Sequence, residues 1–274
     1  MSPMPNVKAL ERALDILEAF SLEKSELSLT ELSRRVNLSP PTVSRLMQTL
    51  IKRGYLIQNP SNKKYRLSFK FLDLVAIIHA GMDLHRAAFP VLSKLRDKLK
   101  ETVYLDVIEG DERVCIISLP GIHPVRTFVP LGQRSPLYAG ADSRMLLASL
   151  DDEEIESYFN RVEFKCFASN TITDRERLWE EIRLTRLMDM AVSVNEFHPG
   201  SACISVPIRD YSTKVIAALS VSFPDSRANK SNIENYAAAI RNAARSLSEA
   251  MGYRQQGKKH IPIPEDFIKR ISLA

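Results

Sequence analysis

Nine Lys or Arg side chains and no Asp or Glu stand between Leu32 and Leu72: Arg34, Arg35, Arg45, Lys52, Arg53, Lys63, Lys64, Arg66 and Lys70. A single-sign field of that density suits a polyanion such as nucleic acid, because each cation placed beside a phosphate releases a condensed counterion. The rest of the chain does not share it. Residues 1–80 carry 12 basic against 7 acidic side chains, whereas residues 81–274 carry 26 of each. The formal net charge of +5 over 274 residues is therefore all N-terminal.

A second set of chemistry-bearing residues lies far downstream. Ser220 and Ser222 are two apart in a strand-like run and share one face, as do Cys203 and Ser205. Buried hydroxyls are costly unless they meet a partner. Two readings follow: the small polar groups satisfy backbone in a packed interior, or they line a ligand pocket. A third arrangement, Cys203 as nucleophile with His198 as base and Glu196 as orienter, would make a hydrolase. It is disfavoured, because His198 runs straight into Pro199-Gly200, a loop signal, and no oxyanion hole is indicated. His79, His85, His123, His198 and His260 lack metal-ligand spacing, and Cys115, Cys166 and Cys203 form no Cys-x-x-Cys pair. Neither metal nor cofactor is expected. With no signal pattern and no apolar run long enough to span a bilayer, the expectation is a soluble, cytoplasmic protein that engages no membrane.

The elements that position the basic set are short and well punctuated. Leu10, Leu14, Leu17 and Phe20, with Val7 and Ala13, give a first helix one apolar face. Ser28 three residues before Glu31 is a capping-box spacing for a second helix that buries Leu29, Leu32 and Val36. After a tight turn at Asn37-Leu38-Ser39, with Ser39 placed to cap it, a third helix begins with Pro40 and Pro41 in its first turn, buries Val43, Leu46, Met47 and Leu50, and ends at Gly54. At 100° per residue its outer side holds Pro41, Arg45, Gln48 and Lys52, flanked by Thr42, Ser44 and Thr49, and Arg34 stands on the preceding helix. Two short helices in a tight turn, the second with an acid-free polar face, make a helix-turn-helix. Arg matches guanine O6 and N7, Gln matches adenine N6 and N7, and hydroxyls reach phosphates or base edges. Residues 55–58 and 64–67 read as a hairpin, a wing whose Lys63, Lys64 and Arg66 reach phosphates beside the groove. The partner is double-stranded DNA, since the major groove of A-form RNA is too narrow for a helix.

Beyond the wing, Phe69, Leu72, Leu74, Val75 and Ile78 mark a connector helix whose Ile77-Ile78 neighbourhood suits a partner chain. The next helix, over 84–99, turns Phe89, Leu92, Leu95 and Leu99 to one side. Strands are expected at 102–108, 114–118, 125–129, 190–194, 202–209 and 216–223, and helices at 143–150, 152–159, 173–187 and 232–251. Without regular strand–helix alternation, the class is α+β.

The chain as a whole resembles the IclR family of bacterial transcription regulators, on residues 9–17 (ALERALDIL), 29–33 (LTELS), 42–46 (TVSRL), 54–56 (GYL), 65–67 (YRL), 136–139 (PLYA), 171–174 (TITD) and 217–222 (AALSVS). The resemblance implies a winged helix-turn-helix over 6–68, a connector helix over 69–82 that helps dimerise, a GAF-like effector-binding domain over 83–252 and an extension over 253–274. It also implies a homodimer or tetramer and an effector that is a small polar metabolite, an organic acid in many members. Most members repress, commonly catabolic genes, and some activate. Its effector positions fall on Gly140, Ala141 and Asp142 in a helix-start loop, on Ser193 and Ser201, and on Cys203, Ser220 and Ser222. Two departures stand out: Ser193 replaces a usual Asp and Ser201 a branched apolar residue, and Ser143-Arg144 stands for a frequent Gly-Lys. Asp142 would repel an anionic effector unless Arg144 or another cation offsets it.

Overall fold

The computed structural model describes residues 7–80 and 83–254. It divides into two compact units at residues 82 and 83; most of the 253–274 extension lies outside the described residues.

The first unit comprises α1 (Lys8–Glu18), α2 (Leu29–Arg35), α3 (Pro40–Lys52), β1 (Leu56–Gln58), β2 (Tyr65–Leu67) and α4 (Lys70–Ala80). Ser28 caps α2 reciprocally: its Oγ accepts the Glu31 N–H at 3.3 Å, and Glu31 Oε2 accepts the Ser28 N–H at 2.8 Å. Such a box is worth about 1 kcal/mol. Asn37 makes the sharp turn into α3 at φ +50°, a conformation Asn tolerates better than most residues. Ser39 holds the N-cap position of α3, but its hydroxyl meets Thr42 Oγ1 at 2.8 Å and caps no backbone N–H. Ile16, Leu27, Leu32, Val43, Met47, Leu50 and Leu56 form the core. The inward side of α1 is therefore Ala13, Ile16 and Leu17, continued by Phe20 beyond its end, whereas Val7, Leu10 and Leu14 of the expected face are exposed. Ile16 packs in the core with the helix-turn-helix, and of the expected face only Ala13, Leu17 and Phe20 share its side.

The second unit is built on one antiparallel sheet: β3 (Thr102–Glu109), β4 (Glu112–Leu119), β5 (Arg134–Pro136), β6 (Ala191–Val194), β7 (Ser201–Arg209) and β8 (Val215–Pro224), ordered β5-β4-β3-β8-β7-β6. Two meanders, β3-β4-β5 and β6-β7-β8, join where β3 pairs with β8, Thr102 opposite Ser222 and Tyr104 opposite Ser220. Alternation sends Val103, Leu105, Ile204, Val206, Leu219 and Val221 to one face, where they pack with α5 (Asp83–Leu99) and α9 (Lys230–Ala250). In α5 the buried side is Leu84, Ala88, Leu92, Leu95 and Leu99, so Phe89, expected inside, is exposed. The other face, carrying Tyr104, Cys115, Cys203 and Ala218, is covered by α6 (Ala141–Leu147), α7 (Asp152–Arg161) and α8 (Arg175–Met188).

Residues 125–129, expected as a strand, are irregular. Their carbonyls go instead to side-chain hydroxyls, Thr127 O to Thr102 Oγ1 at 2.7 Å and Val129 O to Ser118 Oγ at 2.5 Å. Pro124 and Pro130, which lack an N–H, bracket the run. The edge strand β5 takes its place beside β4.

Candidate nucleic-acid interface and effector site

On α3 the buried residues are Val43, Met47 and Leu50, and Pro41, Arg45, Gln48, Thr49 and Lys52 are exposed, with Thr42 and Ser44 half-buried between them. Arg34 on α2 is exposed as well. The wing is more rigidly built than a polar loop need be. Asn59 Oδ1 accepts the Ser61 N–H at 3.0 Å and Asn62 Oδ1 the Lys64 N–H at 2.9 Å, two Asx turns in succession. Glu26 takes Asn62 Nδ2 at 2.9 Å and Asn59 Nδ2 at 3.4 Å, which anchors the wing to the strand-like Leu27, itself bridged to Tyr65. Hydrogen bonds from Asn62 and Asn59 hold the Glu26 carboxyl below its ordinary range. Lys63 at the tip has φ +58° and is exposed, while Lys64 and Arg66 are half-buried. Lys70, one of the nine cations, acts within the fold: its Nζ donates to Arg53 O at 2.8 Å, capping α3, and lies 4.7 Å from the Tyr55 ring centroid.

In the second unit, a connected polar cluster lies between the sheet and α6. Arg113 on β4 donates from Nη1 to Asp106 Oδ1 at 2.9 Å and from Nε to Ser135 Oγ at 2.8 Å, and its Nε stands 3.5 Å from Asp142 Oδ2. The Tyr104 hydroxyl lies 3.1 Å from both Asp142 Oδ2 and Cys203 Sγ. Ser220 Oγ donates to Ser205 Oγ at 2.9 Å, with Asp106 Oδ2 at 3.5 Å. Gly140 enters α6 at φ +101°, where an added Cβ would come within 2.8 Å of Asp142 Oδ1. Ser193 Oγ accepts the Ala141 N–H at 3.0 Å. Arg144 points to the loop after β6, pairing with Glu196 Oε2 at 2.6 Å and Val192 O at 2.6 Å. Burial pushes the carboxyls of Asp106 and Glu196 upward against the pull of their arginines, Asp106 to about 7. Burial also keeps the Cys203 thiol protonated, well above its usual range.

Two family models cover this architecture. One for the IclR helix-turn-helix domain matches residues 9–60, and one for the bacterial transcriptional regulator IclR C-terminal domain matches residues 77–249. The chain belongs to the IclR family. Among its relatives, the HTH-type transcriptional regulator XynR of Escherichia coli (strain K12) is 32% identical over 250 residues, which cover 91% of this chain and 99% of XynR. KdgR of Dickeya chrysanthemi is 35% identical over 248 residues, 90% of this chain and 81% of KdgR. Among solved structures, IclR of Thermotoga maritima superimposes with a TM-score of 0.77 at 25% identity, covering 90% of this chain and all of that one. An IclR regulator from Alicyclobacillus acidocaldarius does so with 0.79, also at 25% identity and with the same coverage. This is a DNA-binding transcriptional regulator.

Within that IclR architecture, the residues singled out from sequence fall in layers. Gly140, Ala141, Asp142, Ser193 and Cys203 converge around the start of α6. Ser222 neighbours Cys203 in register. Ser220 lies one step along and is fully buried, its hydroxyl committed to Ser205. Ser201 stands at the start of β7, half-buried, with its hydroxyl donated to His198 O at 2.6 Å, so it holds the loop end. The cation beside Asp142 is Arg113, and Arg144 serves Glu196 instead. Cys203, His198 and Glu196 do not form a nucleophile–base–orienter chain: Cys203 meets Tyr104, His198 Nε2 lies 3.0 Å from Gln133 Nε2, and Glu196 pairs with Arg144. Sequence reasoning missed Tyr104, Asp106 and Arg113. The available signal was an acid in the middle of an otherwise apolar strand, two residues from a Tyr and therefore on its face.

Proposed function

We propose that this IclR-family regulator is a repressor whose hold on its operator is changed by a small polar metabolite bound at the start of α6. The observation that carries the reading is the pairing of an acid-free exposed face on α3 with a buried, densely hydrogen-bonded polar face in a separate unit of balanced charge. Arg45, Gln48 and Lys52, with Pro41, Thr42, Ser44 and Thr49, face the major groove, and Arg34, Lys63, Lys64 and Arg66 meet phosphates. Gly140, Ala141, Asp142, Ser193, Cys203 and Ser222 surround the effector, and Ser220 backs them. Repression is favoured over activation because relatives such as YiaJ and AllR of Escherichia coli, each 28% identical, are named repressors.

Self-association belongs to the same proposal. Phe69 just before α4 and Leu72, Leu74 and Ile77 along it are exposed, more apolar surface than a free connector needs, and the Ile78 side chain lies outside the described residues. A symmetric pair places two recognition helices on two half-sites. Sedimentation with and without operator tests it, and a 31 kDa species alone in both would contradict it.

The decisive experiment for DNA reading is a competition titration of Arg45→Ala against single-base operator variants. Loss of one bidentate contact should cost about 1–3 kcal/mol and relax preference at one position. An unchanged preference profile would remove Arg45 from the base-reading set.

A further inference from the structure

The stretch from Leu32 to Leu72 contains no acid, yet the fold carries one to its wing. Glu26, half-buried ahead of α2, accepts Asn62 Nδ2 at 2.9 Å on Oε2 and Asn59 Nδ2 at 3.4 Å on Oε1. The wing cations Arg66 and Lys64 act on it through charge alone. A carboxylate beside cations that meet phosphates opposes the polyanion they attract. By charge, an acid at this position weakens DNA binding, and only its contacts can reverse that sign.

Those contacts converge on the tip. Each asparagine is a bridge: its amide N–H goes to Glu26, and its side-chain oxygen accepts a backbone N–H of the turn, Ser61 for Asn59 and Lys64 for Asn62. Between those two anchored points stands Lys63, exposed, at φ +58°. A lysine adopts that left-handed conformation only where its surroundings hold it. Here its N–H donates to Asn59 O at 2.9 Å, and its carbonyl accepts Gln58 Nε2 at 3.0 Å. Leu27 exchanges both backbone hydrogen bonds with Tyr65, and Ser28 caps α2. Residues 26–28 therefore tie the wing tip, the wing strand and the helix-turn-helix to one short segment. A neutral amide at position 26 would offer one acceptor oxygen to two donors, without charge assistance.

We propose that Glu26 is a positioning residue for DNA binding. Through Asn59 and Asn62 it fixes the direction in which Lys63 leaves the wing tip, and this strengthens the hold on DNA more than its negative charge weakens it. The proposal rests on the assignment of Lys63 to phosphate contact made above, and it adds the residue that aims that contact.

The test is titration of a fluorescein-labelled DNA duplex of random sequence with the full chain, at several salt concentrations between about 0.05 and 0.2 M, read as affinity and as salt slope. Glu26→Ala should lower affinity about fivefold to tenfold at ~0.1 M salt and make the slope shallower by about 1, the change that follows from one lost phosphate contact. Charge alone gives the reverse, a gain in affinity with no loss of slope. Asn62→Ala breaks the anchor and keeps the acid, so it should weaken binding in the same way, and it gives a reading even where Glu26→Ala folds poorly. In a Lys63→Ala background Glu26→Ala should change affinity by less than about twofold, because the contact it positions is already gone. Higher affinity for Glu26→Ala than for the wild-type protein would overturn the proposal. So would a loss of equal size with and without Lys63, which would make the acid a support of the whole unit. Lys63→Ala without effect would remove the wing from the phosphates, and the proposal with it. A loss with Lys63→Ala but none with Glu26→Ala or Asn62→Ala would leave the wing contact standing and overturn the positioning role alone.

Discussion

Asp106→Asn isolates the electrostatics of the buried polar cluster between the sheet and α6. Asp106 is fully buried, and burial carries its carboxyl up to about 7 although Arg113 Nη1 lies at 2.9 Å. In the unfolded chain an Asp titrates near ~3.9. Across roughly pH 4 to 7 the folded state therefore keeps a proton that the unfolded state has released. The stability contributed by this proton is complete below about pH 4 and is lost as pH rises through about 7. Between pH 5 and 8 the loss amounts to about 3 kcal/mol. Asn cannot titrate, so the variant should gain on the wild-type protein by about that amount over the same interval, on top of a constant offset from removing a partner of Arg113. Urea unfolding at half-unit pH steps, followed through the single tryptophan, Trp179 on α8, reads the second unit directly. With a slope of about 2 kcal/mol per molar, the relative midpoint should move by about 1–2 M. Wild-type and Asn curves that stay parallel from pH 5 to 8 would refute the reasoning, because no proton would then be bound differentially at this site.

Other perturbations reach different parts of the molecule. Arg144→Met strands the buried Glu196 carboxylate and should cost about 3–5 kcal/mol in the same assay, whereas Arg144→Met with Glu196→Gln should recover most of it; equal costs for the single and double variants would show that the pair is not coupled. Gly140→Ala forces a side chain onto φ +101° and against Asp142 Oδ1, so it should destabilise the second unit by at least about 1–3 kcal/mol and disturb effector binding, and a melting profile like that of the wild type would contradict the described entry to α6. Lys63→Ala should weaken binding to operator and random DNA alike and lower the salt slope by about 1; a loss confined to the operator would assign Lys63 to base reading instead.

Local chemistry in this chain was readable, and long-range chemistry was not. The Ser28–Glu31 box, the Asn37 turn, the two prolines of α3 and the acid-free outer face each depend on neighbours within a few residues, and each stands as the sequence implies except for the hydroxyl of Ser39. The polar pairs Cys203/Ser205 and Ser220/Ser222 also share faces as alternation requires. Arg113 escaped notice because its importance comes from a sheet register that sets it beside Asp106 and against a helix thirty residues further on. Arg144, only two residues from Asp142, was the natural local guess for its counter-charge. Helical geometry turns positions two apart to different sides, and Arg144 leaves toward Glu196. The exposed Leu10 and Phe89 carry a related lesson: an apolar stripe is legible, but which of two adjacent stripes meets the core depends on elements elsewhere in the chain.

The seam between β3 and β8 sets an order in time. Neighbouring strands within each meander are consecutive in the chain, but the seam joins strands from opposite ends of the domain, and long-range antiparallel pairing is the slow part of such a fold. Tyr104, Asp106 and Arg113 come from one meander, Cys203, Ser205 and Ser220 from the other. That polar cluster therefore needs both meanders and cannot assemble before β8 has been synthesised. The helices and wing of the first unit lie within the first 80 residues. At about 5–20 residues per second the ribosome takes roughly 10–40 s to deliver the remainder. Each new molecule passes through an interval in which the helix-turn-helix residues have been made and the polar cluster cannot yet form. A mutation that slows the seam would lengthen that interval without touching either site.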